Sequence, residues 1–520
     1  MTNRKLIKST GIIGFATGTS RILGFVRDII FARMFGTGIF SQAFVVAFRL
    51  PNMLRDMIGE GATDAAIVPV LSEYRHTQSK EEYWQAARVI WNLMVLILAV
   101  LSICGIVFAP ILVRIIAPGF IEDPEKFSTT VWLTRMLFPY IFFLGLVAYS
   151  KGVLSSFNYF VTPAFAQVIL NITMILALYF LCGKMGINGL IFGVLTGGFF
   201  QVLLQLKPLI SRGFNFKMPL QFAHPAAKKI GKLLIPRLFG TAVYQISVFV
   251  DTILASLGGI VGAGGVAGLY FANRLVHLPL AVFGIALATA ALPRMSREAA
   301  EKDMDKLKNT ISFSLNFVFT VMVPCAFGLM ILANPIIRII FQGGEFTSYS
   351  TRITSNALVY YAIGLFAYAG IKILVSAYYA MGDTRTPVKT ASISLLINLV
   401  LNLILMWPLK LGGLALATSV AAISNFISLY VILVRRIGDM GSKKMFISFM
   451  KVCAASVVMA IFTIFARWVM AQFKNPTRPV EIMSLLTVIL IGVCSYLLAA
   501  YIVRIKEIRR LWTIILSKIR

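Results

Sequence analysis

From residue 11 to residue 503 the chain is a succession of about fourteen apolar stretches, near 11–36, 39–71, 84–116, 128–157, 162–183, 187–210, 226–257, 262–296, 309–341, 349–381, 385–408, 412–434, 445–472 and 480–503. Each reaches or exceeds the roughly 20 residues that a helix needs to cross a bilayer. A chain built this way has little choice of fold, because hydrocarbon offers no partner to a backbone N–H or C=O and only helices or closed barrels satisfy both. The expectation is an all-α polytopic membrane protein of about fourteen transmembrane helices. With 58% hydrophobic and 13% charged residues, the composition leaves no room for a large soluble domain.

The formal charge of +29 could suggest nucleic acid as a partner. The basic residues, however, sit in short segments between apolar stretches rather than on a soluble face with aromatic readers, which argues against nucleic acid. If the N-terminus is cytoplasmic, the segments on that side hold about 30 Lys and Arg against about 7 on the other, and the positive-inside rule then places both termini in the cytoplasm. The richest pieces are 207–232, 294–308, 435–451 and the tail from Arg504, whereas PGFIEDPEKF, with Glu122, Asp123 and Glu125, falls on the opposite side. The tail KEIRRLWTIILSKIR reads either as an amphipathic segment on the anionic inner leaflet or as a solvated end of the last helix. The basic N-terminus MTNRKLIKST lacks a small-residue cleavage site and reads as retained. Cys104, Cys182, Cys325, Cys453 and Cys494 lie in or beside apolar stretches, which speaks against a disulfide framework.

The chain repeats itself. Arg49-Leu50 recurs as Arg274-Leu275, Pro69 and Ser72 as Pro293 and Ser296, Thr162-Pro163 as Thr386-Pro387, and Gly189-Leu190 as Gly413-Leu414, at offsets of 225, 224, 224 and 224. Six spans separate corresponding helices, so the halves run in the same orientation, related by an axis along the membrane normal. Two parallel six-helix lobes follow, 1–220 and 221–440, with a central cavity between them as the expected site, two extra helices in 441–504, and a basic tail in 505–520.

The stretch 11–36, GIIGFATGTSRILGFVRDIIFARMFG, carries Arg21, Arg27, Asp28 and Arg33. A cation near the bilayer centre costs about 2.5–3.5 kcal/mol on insertion scales, so such residues face protein or water. At about 100° per residue Arg21 and Asp28 share a helix face, with Arg27 beside it. Arg49 and Arg55 extend the set in the first half, and Arg274 stands at the repeat position of Arg49 in the second. Arginine suits phosphate because its planar fork donates two parallel hydrogen bonds and keeps its charge when partly buried. The structural alternative is snorkelling or internal pairing, as Arg27 could pair with Asp28 or Asp56, and for Arg33 near a helix end that alternative is preferred. Gly14, Gly18, Gly24, Pro51, Gly59 and Gly61 interrupt the first two spans, for close packing or for bending.

Asp251 lies inside the seventh stretch, Asn398 and Asn402 one turn apart in the eleventh, and Thr418 in the twelfth. Their oxygens would suit a Na⁺ ion, or Asp251 a proton, although hydrogen bonding between helices explains the amides and the hydroxyl equally well. No other cofactor is implied. His76, His224 and His277 are scattered, without metal-ligand spacing, and there is no Walker A or G-x-S-x-G motif. A lipid-modifying glycosyltransferase using the acidic loop at Glu122 is the enzyme alternative.

The runs TSRILGFVRDIIFARMFG, AFRLPNMLRDMIGEGA, VPVLSEY and ANRLVHLPLAVFGIALATAALPRMSR resemble the MviN/MurJ family of bacterial lipid II flippases, within the multidrug/oligosaccharidyl-lipid/polysaccharide exporter superfamily. The likeness covers essentially the whole chain. It implies a transporter, not an enzyme, in the bacterial cytoplasmic (inner) membrane, which moves lipid II from the inner to the outer leaflet for peptidoglycan synthesis and works beside the cell-wall synthesis machinery. It also implies that the family's cavity arginines fall on Arg21, Arg27, Arg55 and Arg274, with Ser20 and Asp28 beside them, and that spans 13 and 14 form a groove for the polyprenyl tail. Gln42 and Asn402 stand where some relatives carry a carboxylate, so no such role is carried over to them. A flippase for another polyprenyl-linked glycan and a multidrug exporter are the neighbouring alternatives, and the arginine-rich set disfavours an exporter of cations.

Overall fold

A computed structural model describes residues 3–56, 66–216, 224–472, 477–505 and 507–508, with side chains from residue 11 onward and excluding those of 235–244. All named elements among the described residues are helical, and their one β-type pairing is an isolated bridge between Gly343 and Phe346. The chain forms two compact units, Met1–Gly258 and Gly259–Arg520.

The first unit contains α1 (Asn3–Phe35), α2 (Ile39–Arg55), α3 (Val68–Thr77), α4 (Lys80–Val107), α5 (Ala109–Ile116), α6 (Pro124–Leu137), α7 (Tyr140–Ser156), α8 (Val161–Phe180), α9 (Cys182–Met185), α10 (Ile187–Ile210) and α11 (Pro225–Ser256). Helix α8 packs between α1 and α10, α2 lies on α6, and α7 bridges α4 and α10. Indole and phenol rings fill one end: Trp84 stacks on Phe157 at 5.7 Å, and Trp91 meets Tyr149 edge-on at 5.3 Å. Tyr149 satisfies its buried hydroxyl by donating to the Ala87 carbonyl at 2.5 Å. Helix α11 makes its contacts with α3, α4 and α5, so the unit boundary falls after the seventh apolar stretch.

A short turn, α12 (Gly258–Val261), leads into the second unit. There follow α13 (Gly265–Pro279), α14 (Ala286–Ala300), α15 (Met304–Ile340), α16 (Ser348–Ile363), α17 (Leu365–Ala380), α18 (Arg385–Leu409), α19 (Leu411–Ile437), α20 (Ser442–Met470) and α21 (Arg478–Ile502). Phe319, Phe366, Phe426 and Phe449 interlock with centroids 5.3–6.3 Å apart, joining α15, α17, α19 and α20. Helix α21 is pinned by the Tyr496 hydroxyl, which donates to the Thr320 carbonyl at 2.6 Å. The opposite faces of α20 and α21 leave Phe465, Trp468, Leu490 and Leu498 more than 60% exposed, a surface suited to lipid rather than water.

Ten helical segments among the described residues are long and apolar enough to cross a membrane, or eleven if α16 and α17, bent by 46°, count as one span. Fourteen are therefore not reached on length and apolarity. Of the three expected stretches that fall short, 11–36 carries Arg21, Arg27, Asp28 and Arg33, α2 has 17 residues and ends beside residues outside the described set, and 226–257 includes 235–244, whose side chains are likewise outside it, which leaves Gln245–Ser256 as its apolar part. Charge lowers the apolarity of such a helix without preventing it from forming. Helix α1 runs unbroken through Gly14, Gly18 and Gly24, and a Cβ on Gly14 or Gly18 would meet nothing within 4 Å, so close packing does not explain those two glycines. Gly59 and Gly61 lie outside the described residues, as do Lys506 and the tail from 509.

The sequence repeat returns as local structure. Pro163 and Pro387 each occupy the third position of their helices, α8 and α18, in the first turn, where the missing N–H removes no intrahelical bond. Gly189 and Gly413 are likewise third in α10 and α19. A Cβ there would lie 2.8 Å from the Cys182 nitrogen or 2.1 Å from the Leu405 carbonyl oxygen, so each helix can turn back on its predecessor only with glycine at this point. A π-helical turn begins at Asp56 in one half and at Leu280 in the other, 224 residues apart. Such turns leave backbone groups unpaired and recur at functional sites.

Candidate functional site

In the first unit the α1 cluster is built around a buried arginine. Arg27, 8% exposed, donates from Nε and Nη2 to Asp28 Oδ1 at 3.1 and 2.7 Å, and from Nη1 to Asn171 Oδ1 of α8 at 3.0 Å. Asn171 passes the connection on, its Nδ2 donating to the Ser20 carbonyl at 2.9 Å and the Ser20 hydroxyl at 3.2 Å. The charge pair cancels locally, and the amide satisfies both sides, which is how an ion pair survives burial. Arg21, seven residues before Asp28, is exposed and has no hydrogen-bond or ion-pair partner among the described residues.

Helix α2 presents its two arginines differently. Arg49, half-buried, donates to the Val248 carbonyl at 3.2 Å and to the Thr252 hydroxyl, tying α2 to α11. Arg55 pairs with its neighbour Asp56 at 2.9 Å, with about a third of each side chain exposed. Gln42 is buried and accepts from Lys126 Nζ of α6 at 3.2 Å while donating to the Thr37 carbonyl at 3.1 Å, so the amide acts as a hydrogen-bonding node. Arg33 is half-buried in the last turn of α1.

In the second unit Arg274 is exposed on α13, donates to the Tyr270 hydroxyl at 3.0 Å, and has its guanidinium carbon 4.8 Å from that ring's centroid. Asn398 and Asn402 are buried and form a chain with Thr418: Asn402 donates to Asn398 at 3.0 Å, Asn398 to the Thr418 hydroxyl at 3.3 Å, and Thr418 to the Leu414 carbonyl at 2.9 Å. This chain holds α18 against α19. Asp251 is half-buried on α11 of the first unit and is engaged in a contact of its own. Among the described residues no group of three or more His, Cys, Asp or Glu side chains is placed to hold a metal ion.

The structure thus brings Ser20, Arg27 and Asp28 together through Asn171, leaves Arg21 and Arg274 exposed, and gives Arg49 and Arg55 partners on α11 and at the π-turn. Asn171 and Lys126 went unnoticed in the sequence. Asn171 had a legible signal as a lone amide within VILNITM, because a polar side chain in an apolar span needs a partner. Lys126 had none, since it reads as an ordinary loop cation in PGFIEDPEKF.

Long apolar helices with lipid-suited outer faces, enclosing a hydrogen-bonded guanidinium and presenting others in exposed positions, define a multi-pass membrane protein. The family model described as "Lipid II flippase MurJ" matches residues 31–501. A probable lipid II flippase MurJ of Buchnera aphidicola subsp. Schizaphis graminum is 30% identical over 96% of this chain and 97% of its own, and one of Vibrio cholerae 35% identical over 82% and 83%. The chain belongs to the lipid II flippase MurJ family. A solved structure of lipid II flippase MurJ in an inward closed conformation superposes with a TM-score of 0.80 at 29% identity, covering 94% of this chain and 98% of that one. Multidrug resistance MATE transporters of the MOP superfamily share the fold at lower identity. An inward-facing one gives a TM-score of 0.66 at 16% identity, over 82% of this chain and 95% of its own; an outward-facing one gives 0.58 at 15%, over 84% and 96%.

Proposed function

We propose that this protein moves lipid II, a disaccharide-pentapeptide on undecaprenyl diphosphate, from the inner to the outer leaflet of the cytoplasmic membrane for peptidoglycan synthesis. The observation that carries this reading is family membership across 31–501. The excess of arginine over carboxylate at the polar positions of the first two spans supports a diphosphate as the group held.

In this reading the two sequence repeats act as lobes, and Arg21, Arg55 and Arg274 grip the diphosphate. Arg27, neutralised by Asp28 and Asn171, and Arg49, bonded to α11, are positioning residues that hold the gripping helices in register. The polyprenyl tail stays in lipid along the exposed apolar faces of α20 and α21. Fold relatives solved in inward-facing and outward-facing states support alternating access. Binding stays moderate, because a site that traps the diphosphate in one state could not release it in the other. The excess of basic residues on one side supports placing both termini in the cytoplasm. The membrane potential, at about 2.3 kcal/mol per charge per 100 mV, or a Na⁺ ion or proton at Asp251 biases the two states. In the cell the released lipid II passes to the cell-wall synthesis machinery.

The test is lipid II movement in proteoliposomes, read as the fraction accessible on the far leaflet. Wild-type protein should raise that fraction, and Arg21→Ala and Arg274→Ala should abolish the rise. Unchanged movement in both variants would remove the arginine grip, and absence of movement with wild type would remove the flippase reading. Movement of undecaprenyl-diphosphate glycans other than lipid II at equal rate would widen the substrate class.

A further inference from the structure

The second unit contains a cavity of about 980 Å³ where the N-terminal ends of α15 and α20 meet the residues that follow α21. Its wall carries Lys308 and Asn316 from α15, Lys444 and Lys451 from α20, and Arg504 and Glu507 beyond α21. Lys444 and Lys451 are seven residues apart, hence on one helix face and roughly 10 Å apart along the axis. Positive charge therefore extends two turns into the helical bundle, and a solvated loop does not account for it.

Besides Arg294, which pairs with Glu298, the wall sets Lys308, Lys444, Lys451 and Arg504 against Asp305, Asp439 and Glu507, so the charge is offset only in part. Asp439 is occupied in capping α20, accepting from the Ser442 backbone nitrogen at 2.9 Å and its hydroxyl at 2.5 Å. Asp305 approaches Lys308 only to 3.8 Å, and its side chain is 92% exposed. Lys444, Lys451 and Arg504 have no ion-pair partner among the described residues. A second, independent observation concerns acceptors. Asn316 Oδ1 and Glu507 Oε2 are buried with no hydrogen-bond partner among the described residues, and buried acceptors in folded proteins almost always have one. Among the described residues, Lys444, Lys451 and Arg504 thus lack a paired anion and the two inner acceptors lack N–H or O–H donors. Phe313 and Ile447, 44% and 46% exposed on the same wall, add an apolar edge.

We propose that this cavity binds the headgroup of an anionic glycerophospholipid, the phosphodiester at Lys444, Lys451 and Arg504 and headgroup hydroxyls donating to Asn316 and Glu507. Basic pockets between transmembrane helices are suited to anionic lipid headgroups, and the apolar edge accepts the start of the acyl chains. The lipid is a resident ligand rather than cargo, so the inference goes beyond the transport reading and its test does not involve lipid II.

The experiment uses the purified full-length chain in detergent, titrated with phosphatidylglycerol and followed by retained lipid in native mass spectrometry and by the unfolding midpoint. Phosphatidylglycerol should bind about tenfold or more tighter than phosphatidylcholine or phosphatidylethanolamine, with retention falling as salt rises. Lys444→Gln and Lys451→Gln should each weaken it about tenfold, whereas Lys228→Gln, an exposed residue of α11, should not. Asn316→Leu should abolish the preference for phosphatidylglycerol over phosphatidic acid, which lacks the glycerol hydroxyls, while leaving phosphatidic acid binding in place. Equal affinity for phosphatidylcholine, or wild-type retention in both lysine variants, would overturn the proposal. So would equal protection by inorganic phosphate, which would make the site a free-anion site, or displacement of phosphatidylglycerol by equimolar undecaprenyl diphosphate, which would assign it to substrate. Should the lysine variants fail to fold, the salt dependence and lipid ranking of the wild type decide.

Discussion

Arg27 and Arg274 carry the same side chain in opposite circumstances, and their substitutions should differ accordingly. Arg27→Ala leaves the Asp28 carboxylate buried near an Asn171 oxygen that has lost its Arg27 donor, and removing one member of a buried pair costs about 3–5 kcal/mol. The expected outcome is a lowered unfolding midpoint and reduced membrane level together with lost activity. The double variant Arg27→Met with Asp28→Leu should recover most of the stability but not the transport. Arg274→Ala removes an exposed group and should change stability by no more than about 0.5 kcal/mol while abolishing complementation in a flippase-depleted strain. Thermal unfolding and immunoblotting of membranes separate the two cases. At this scale the sequence was informative about residue type: charged groups in an apolar stretch marked Arg27 and Asp28, and the family resemblance added Ser20. It was silent about partners, because the Asn171 contact spans 144 residues and has no periodicity to betray it.

At the scale of elements, the turn between α17 and α18 is held by one carboxylate. Asp383 accepts from the Arg385 and Thr386 nitrogens at 2.9 and 3.0 Å, from the Thr386 hydroxyl at 2.7 Å, and from Arg436 at 2.5 Å. These donors, led by the Thr386 hydroxyl and nitrogen, hold its carboxyl down to about 2 from an ordinary 3.8. A depressed folded-state value means that the stabilisation is fully present above the ordinary value and is lost as pH falls through about 2. Asp383→Asn should therefore lower the unfolding midpoint at pH 7, and its gap to wild type should close as pH falls from about 4 to about 2. Gly189→Ala and Gly413→Ala should each cost about 1–3 kcal/mol, since both force a Cβ into neighbouring backbone. That pair was legible as an offset of 224 residues, but its meaning, two helices folding back on their predecessors at the third residue, needed coordinates.

For the molecule as a whole, the helical class followed from the apolar stretches, because lipid permits so few alternatives, and the internal repeat from short residue matches at offsets of 224 or 225. The span count did not follow as cleanly. The stretch 11–36 holds Arg21, Arg27, Asp28 and Arg33, and that charge lowers its apolarity although α1 forms, whereas 39–71 and 226–257 extend beyond the described residues. If Asp251 couples transport to a cation, Asp251→Asn should abolish the dependence of lipid II movement on Na⁺ or pH in proteoliposomes. Identical dependence in wild type and variant would remove Asp251 as the coupling site, and no dependence in either would leave the membrane potential as the driver.

The most direct measurement is the leaflet accessibility of lipid II in cells depleted of this protein and supplied with either the wild-type chain or Arg274→Ala. The account predicts that lipid II becomes accessible from outside with the wild type and remains on the inner leaflet with the variant, at equal membrane levels of the two proteins. Outer-leaflet lipid II that is unchanged by depletion, or that Arg274→Ala restores in full, would contradict it.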